Sequence, residues 1–284
     1  MQNTKFIKLN FSNDKKKINK LKNYIKKEFL KSGIIEFSNL PFKKNKIQKF
    51  TDLFTSIYSN DANRRINKFK NTKINTVDLG SHSIPLHSEA SFTYSCPEII
   101  WFFCSKNDKN GGPTIICDGK ELWQKLKKKT KQFFLKNPIK YEVEIDIPFK
   151  KGINLKQDYF ANKIGVFNSY IDWKKGKFNF TIIKFAINED KNSDQLFFAN
   201  HLLVGSKNEK QIKKMSLINN KKIPKDIIYE IEKLSKKLST KYTWKENILL
   251  MIDNRRFMHG RTKIDSKDRS KRLIVNIQTL NNSF

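Results

Sequence analysis

The sequence predicts a mainly β fold with flanking helices, of the double-stranded β-helix or jelly-roll kind. Three observations point there. Short β-rich runs outnumber helical ones through the second half of the chain, at 140–147, 178–187, 246–252 and 272–280. The polar residues that stand out chemically fall at the ends of such runs. No Pro/Gly/Ser linker or internal repeat divides the 284 residues, so one domain spanning 1–284 with a large buried core is expected. A two-layer β core with helices packed outside satisfies all three.

The elements follow in order. Ile18, Leu21, Ile25 and Leu30 stand close to helical spacing, so 13–31 reads as a basic amphipathic helix. Gly33-Ile34-Ile35-Glu36-Phe37 reads as a buried strand, and a helix is expected near 45–58. Strands follow at 73–79, 98–104 and 113–117. Leu122, Leu126 and Phe133-Phe134 support a helix across 119–136. Pro224 opens a further helix, carried to about Thr240 by Ile227, Ile228, Ile231, Leu234 and Leu238. Residues 148–177 and 188–222 read as long polar, lid-like insertions.

Composition narrows the function. The net charge of +31 invites a nucleic-acid reading, but only seven of the 58 basic residues are Arg. The lysines are spread along the chain rather than gathered in a stripe, which argues for weak, non-specific attraction and against a specific nucleic-acid partner. The three cysteines, Cys96, Cys104 and Cys117, form no CxxC pair and no disulfide framework. The first ten residues hold no apolar run of the kind a secretory leader needs, and the apolar run Ile99–Cys104 is too short to span a membrane. A cytoplasmic location without a membrane partner is the expectation.

Five of the seven arginines (Arg255, Arg256, Arg261, Arg269 and Arg272) lie within 18 residues of one another. A chain that uses lysine almost everywhere keeps the guanidinium fork here, where a carboxylate has to be gripped by two hydrogen bonds. The plainer alternative is local ion pairing to Asp253, Asp265 and Asp268.

Chemistry concentrates at Leu86-His87-Ser88-Glu89 and, far downstream, at His259. Residues two apart on a strand point the same way, so His87 and Glu89 can present an imidazole and a carboxylate to one point. A histidine from a distant strand completes a two-His, one-carboxylate set with open positions, the arrangement of non-heme Fe(II) oxygenases. Only four histidines exist, His82, His87, His201 and His259, so few other sets can be assembled. His82 reads as part of the approach to the site, His201 as structural or pocket-lining, Trp101–Phe103 as core strand, and Cys104 as a small buried residue.

The run from Leu86 to Phe92, then Pro97, Trp101-Phe102-Phe103-Cys104, Gly111-Gly112-Pro113-Thr114 and Asp118, resembles the taurine dioxygenase superfamily of Fe(II)/2-oxoglutarate oxygenases. Ile252-Asp253-Asn254-Arg255-Arg256-Phe257-Met258-His259-Gly260-Arg261-Thr262 resembles the same superfamily around its distal metal histidine. The resemblance covers roughly residues 30 to 280. Glutamate at 89 leans toward its clavaminate synthase and asparagine oxygenase branch, whose members act on free or simply modified amino acids. The resemblance implies Fe(II) on His87, Glu89 and His259, with 2-oxoglutarate and O2 as cosubstrates. It implies Thr114 and one arginine on the far carboxylate of 2-oxoglutarate. Arg272 and Arg269 compete for that place. Ile274 supplies the apolar residue two positions on that the pattern requires, which favours Arg272. Asn276 and Arg261 are the implied substrate contacts, Arg261 for a substrate carboxylate.

The function expected is therefore a dioxygenase that hydroxylates a small polar substrate such as a free or modified amino acid, with succinate and CO2 as co-products. The alternatives are a non-catalytic jelly-roll binding module and a nucleic-acid-modifying oxygenase.

Overall fold

Alternating apolar residues make the strands, and their two faces sort into separate cores. On the strand Ile99–Lys106, Ile100, Phe102 and Cys104 face one core while Ile99, Trp101 and Phe103 face another. A strand buried on both sides reads as a continuous apolar run, which is what 99–104 is. A computed structural model of the chain describes residues 6–11, 15–42, 44–59, 72–77, 80–93, 96–107, 112–146, 166–190, 193–205, 211–265 and 272–280.

The strands in chain order begin with β1 (Ile7–Asn10), β2 (Ile34–Ser38), β3 (Asn75–Thr76), β4 (Ile84–His87), β5 (Ile99–Lys106) and β6 (Thr114–Asp118). Next come β7 (Ile139–Asp146), β8 (Val166–Asp172), β9 (Lys177–Lys184), β10 (Ile187–Glu189) and β11 (Leu196–Phe198). The last are β12 (Ile212–Leu217), β13 (Thr240–Tyr242), β14 (Ile248–Asp253), β15 (Phe257–Arg261) and β16 (Leu273–Thr279). Two sheets form the jelly roll: a six-stranded one in the order β1-β2-β14-β5-β16-β3 and a four-stranded one in the order β13-β6-β15-β4. Between them lie Ile100, Phe102, Ile116, Trp244, Leu250 and Ile274. The outer face of the larger sheet is closed by Ile25 and Phe29 of the helix Lys15–Ser32, and by Phe50 and Phe54 packed against Trp101.

A third sheet, β12-β7-β9-β8, packs with the helices Gly119–Lys125 and Lys225–Leu238 on the outer side of the smaller one, through Leu86, Cys117 and Met258. The segments read as polar insertions thus carry regular structure. Of 148–177, residues 148–165 lie outside the described residues, while β8 pairs with β9. Segment 188–222 holds β11, the short helix Leu202–Gly205 and β12, rather than an unstructured loop.

Two helices differ from expectation. The helix across 119–136 is two, Gly119–Lys125 and Lys128–Lys136, because Leu126 and Lys127 adopt extended backbone. Glu230 pulls the junction over, accepting from the Lys127 N–H (2.8 Å) and the Thr130 hydroxyl (2.7 Å). The helix near 45–58 shrinks to a 3₁₀ turn, Lys44–Lys46, and a single turn, Gln48–Thr51. There Tyr58 leaves to bridge Thr279, and the Thr55 hydroxyl donates to the Leu280 carbonyl (2.7 Å). No described helix is long and apolar enough to cross a membrane.

Candidate metal centre and active site

Antiparallel pairing of β4 with β15 sets His87 opposite His259, so both imidazoles leave the same face, ring centroids 4.6 Å apart. Glu89 follows in a turn whose next residue, Ala90, takes a left-handed φ of 49°. Its Oε2 lies 3.7 Å from His259 Nε2 and 4.0 Å from His87 Nε2. The three ligand atoms lie within 4.8 Å of one another, so one cation can reach them all. The donor set, two imidazoles and a carboxylate, suits a divalent transition metal. His87 Nδ1 lies 2.9 Å from the Pro85 carbonyl, which holds the proton on Nδ1 and leaves the Nε2 lone pair toward the cluster. Burial, with His259 and His201 nearby, pushes His87 down to about 3, so it is a neutral imidazole at physiological pH.

The turn bearing Glu89 is clamped from three sides. Asn254, fully buried, accepts from the Glu89 N–H (2.7 Å) and donates to the Glu89 carbonyl (3.0 Å) and the Pro97 carbonyl (2.7 Å). The Ser88 hydroxyl donates to the Asn254 carbonyl (2.6 Å), and the Ser88 N–H to that of Asn200 (2.9 Å). His201 sets Nδ1 3.2 Å from the Ser88 carbonyl and packs on Phe92. His201 is therefore a buried supporting residue, in keeping with its structural reading. Asn254 stands in the downstream motif, yet nothing in its spacing says that it reaches the metal-bearing turn.

Beside the cluster lies a cleft lined in part by Val77, Ile84, Phe102 and Ile274. Thr114, Trp244, Arg261 and Arg272 line it away from the histidines. The indole N–H of Trp244 donates to Thr114 Oγ1 (2.8 Å), which leaves the threonine its own proton to donate. Arg272 Nε is buried and finds no hydrogen-bond partner among the described residues. Burial and the neighbouring Arg261 lower Arg272 to about 10, still cationic at neutral pH. A guanidinium with a buried, unpaired Nε is a fitting place for a carboxylate. Trp244 carried no signal in the sequence.

The arginine cluster divides. Arg256 makes a two-pronged pair with Asp118 (3.0 and 2.6 Å), and Arg255 lies 3.5 Å from Asp253. These are the plain ion pairs, though Asp118 was not among the partners expected. Arg261 is 5% exposed and its Nη2 donates to the carbonyls of Gly80 (2.6 Å) and His82 (3.0 Å). Those bonds tie down the approach to β4. Arg269 and Asp268 lie outside the described residues. Asn276 is buried on the same face of β16 as Ile274 but does not line the cleft, and Cys104 is a buried thiol that burial pushes up to about 12.

A double-stranded β-helix with two histidines and a carboxylate at one end of a cleft, and an arginine with threonine at the other, defines an iron- and keto-acid-dependent oxygenase class. The family model described as taurine catabolism dioxygenase TauD, TfdA family matches residues 3–277, and the chain belongs to this family. Its cofactor set is Fe(II), 2-oxoglutarate and O2. Among solved structures, the fold is similar to a taurine dioxygenase from Burkholderia xenovorans (TM-score 0.63, 9% identity, 98% of this chain and 88% of that one). It is similar to the PvcB protein from Pseudomonas aeruginosa (TM-score 0.63, 10% identity, 98% and 87%). It is also similar to AAD-2 in complex with Mn(II) and N-oxalylglycine (TM-score 0.59, 12% identity, 92% and 87%). No curated protein matches the chain significantly by sequence.

Proposed function

We propose that this chain is an Fe(II)- and 2-oxoglutarate-dependent dioxygenase that hydroxylates a small polar substrate, a free or modified amino acid. The observation that carries the reading is the closeness of His87, Glu89 and His259 beside a cleft that is also lined by Arg272, whose Nε finds no partner among the described residues. Glu89 and the His-Gly-Arg context support the amino-acid branch. The AAD-2 structure, which holds Mn(II) and the 2-oxoglutarate analogue N-oxalylglycine, supports the cosubstrate on the same fold. An intact ligand set weighs against a non-catalytic module.

His87 Nε2, Glu89 and His259 Nε2 would hold Fe(II) and leave its other positions open. With 2-oxoglutarate and O2 bound, that centre supplies the oxidation of a substrate C–H bond, with succinate and CO2 as co-products. The protein's own part is positioning. Arg272 and the Thr114 hydroxyl take the far carboxylate of 2-oxoglutarate, and Arg261 adds a second positive charge beside it while anchoring residues 80–82. Phe102, ring centroid 5.2 Å from that of His259, keeps water from the cluster's inner side.

Anaerobic titration with Fe(II) and 2-oxoglutarate tests the proposal, followed by mass-spectrometric screening of amino acids for a gain of one oxygen. One Fe(II) per chain is expected. His259→Ala should abolish turnover with the fold retained, and full activity in that variant would refute the metal assignment.

A further inference from the structure

Strand β16 carries more than the arginine at its start. Residues two apart share a face, so Ile274, Asn276 and Gln278 turn together toward the smaller sheet, while Val275 and Ile277 pack in the outer core. Asn276 is 1% exposed and Gln278 2%. Both atoms of each carboxamide, Nδ2 and Oδ1 of Asn276 and Nε2 and Oε1 of Gln278, are buried with no hydrogen-bond partner among the described residues. Buried polar groups are nearly always paired, because an unpaired one keeps the full cost of leaving water. Two adjacent on one strand mark a place where something else supplies the partners.

Their position says what that is. Asn276 pairs in register with Phe102, whose ring lies against His259, and Gln278 lies one step further from Arg272. On this face Arg272 and Ile274 line the cleft, and Asn276 and Gln278 continue the same face inward beyond its lining as two neutral amides. Each amide offers N–H donors and a carbonyl acceptor. A carboxylate only accepts and would leave Oδ1 and Oε1 unpaired. An ammonium only donates and would leave both NH2 groups unpaired. A group with both functions in one plane satisfies all four atoms.

We propose that Asn276 and Gln278 form a neutral subsite that binds an uncharged donor-and-acceptor group of the substrate, a carboxamide or its like, and rejects an anion there. This rests on the oxygenase reading and narrows its substrate class; it also extends the contact expected at Asn276 to a residue, Gln278, that no motif singled out.

The test is calorimetry on the protein loaded with Mn(II) and N-oxalylglycine, using the matched probes L-glutamine against L-glutamate and L-asparagine against L-aspartate. At least one amide should bind tenfold or more tightly than its acid. Gln278→Leu should cut that affinity tenfold or more, leave N-oxalylglycine binding within twofold, and raise the Tm of the ligand-free protein, since an apolar side chain has no bond to miss. Gln278→Glu, which keeps the size, should abolish the amide preference. Acids binding as well as amides, no amide binding at all, an unchanged affinity in Gln278→Leu, or a lower Tm in that variant would each overturn the subsite. Failure of the wild-type protein to bind Mn(II) or N-oxalylglycine would instead overturn the oxygenase reading on which it rests.

Discussion

Arg272 and Asn254 act on the site in different ways, and substitution separates them. Arg272 offers a fork to a carboxylate, so Arg272→Lys should weaken 2-oxoglutarate strongly, a point charge replacing two parallel bonds. A lost charged hydrogen bond of about 1.5–3 kcal/mol corresponds to roughly ten- to a hundredfold in affinity, readable by calorimetry. Arg269→Lys should do much less. Asn254 touches no cofactor but holds both backbone groups of Glu89. Asn254→Ala removes the side-chain hydrogen bonds to those groups and to the Pro97 carbonyl, so it should destabilise the fold by roughly 1–3 kcal/mol in urea melts. It should also weaken metal binding, because the Glu89 turn with its left-handed Ala90 loses its clamp. Wild-type metal affinity in that variant would remove Asn254 from the support of the site. Arg261→Ala, expected from the sequence to raise the substrate KM alone, should now lower 2-oxoglutarate affinity as well, given where its guanidinium lies.

Among the elements, the β4–β15 pair decides the metal centre. Gly260 lies between His259 and Arg261, where a Cβ would stand 2.5 Å from the Ile84 carbonyl. Gly260→Ala should push β4 off β15 and spread His87 from His259, so Fe(II) affinity should fall at least tenfold in a metal titration while most of the fold survives. An unchanged affinity would show that β4 can shift without moving His87. The long strands were legible because apolar runs such as 99–104 and 246–252 need burial on both faces wherever they lie. Short strands such as β11 and β13 were not, since three residues hold no periodicity and depend on a partner strand. The split at Leu126 was likewise invisible. Local spacing favoured one helix, and Glu230, a hundred residues away, broke it.

The whole molecule should respond to its ligands as one unit. Fe(II) with 2-oxoglutarate, each at about 100 times its Kd and binding only the folded chain, should raise Tm by roughly 5–10 °C under anaerobic conditions. EDTA should reverse the gain. A net charge of +31 predicts oligonucleotide binding at low salt that falls steeply by 200 mM, without stimulating succinate release. Binding that resists salt, or succinate release driven by nucleic acid, would favour the nucleic-acid-modifying alternative.

By itself the sequence determined the fold class and the family, and it proposed the chemical groups. His87, Glu89, His259, Thr114 and Arg272 stand in patterns whose spacing or context is chemically restrictive, and such patterns survive in one dimension. Tertiary structure alone decided which arginines are spent on Asp118 and Asp253 and which reach the cleft. It also decided that Asn254 holds Glu89, and that Asn276 and Gln278 are left with four atoms unpaired among the described residues. Those outcomes depend on which residues from distant strands meet, and on what each buried polar atom finds when they do; neither quantity exists until the two sheets close on one another.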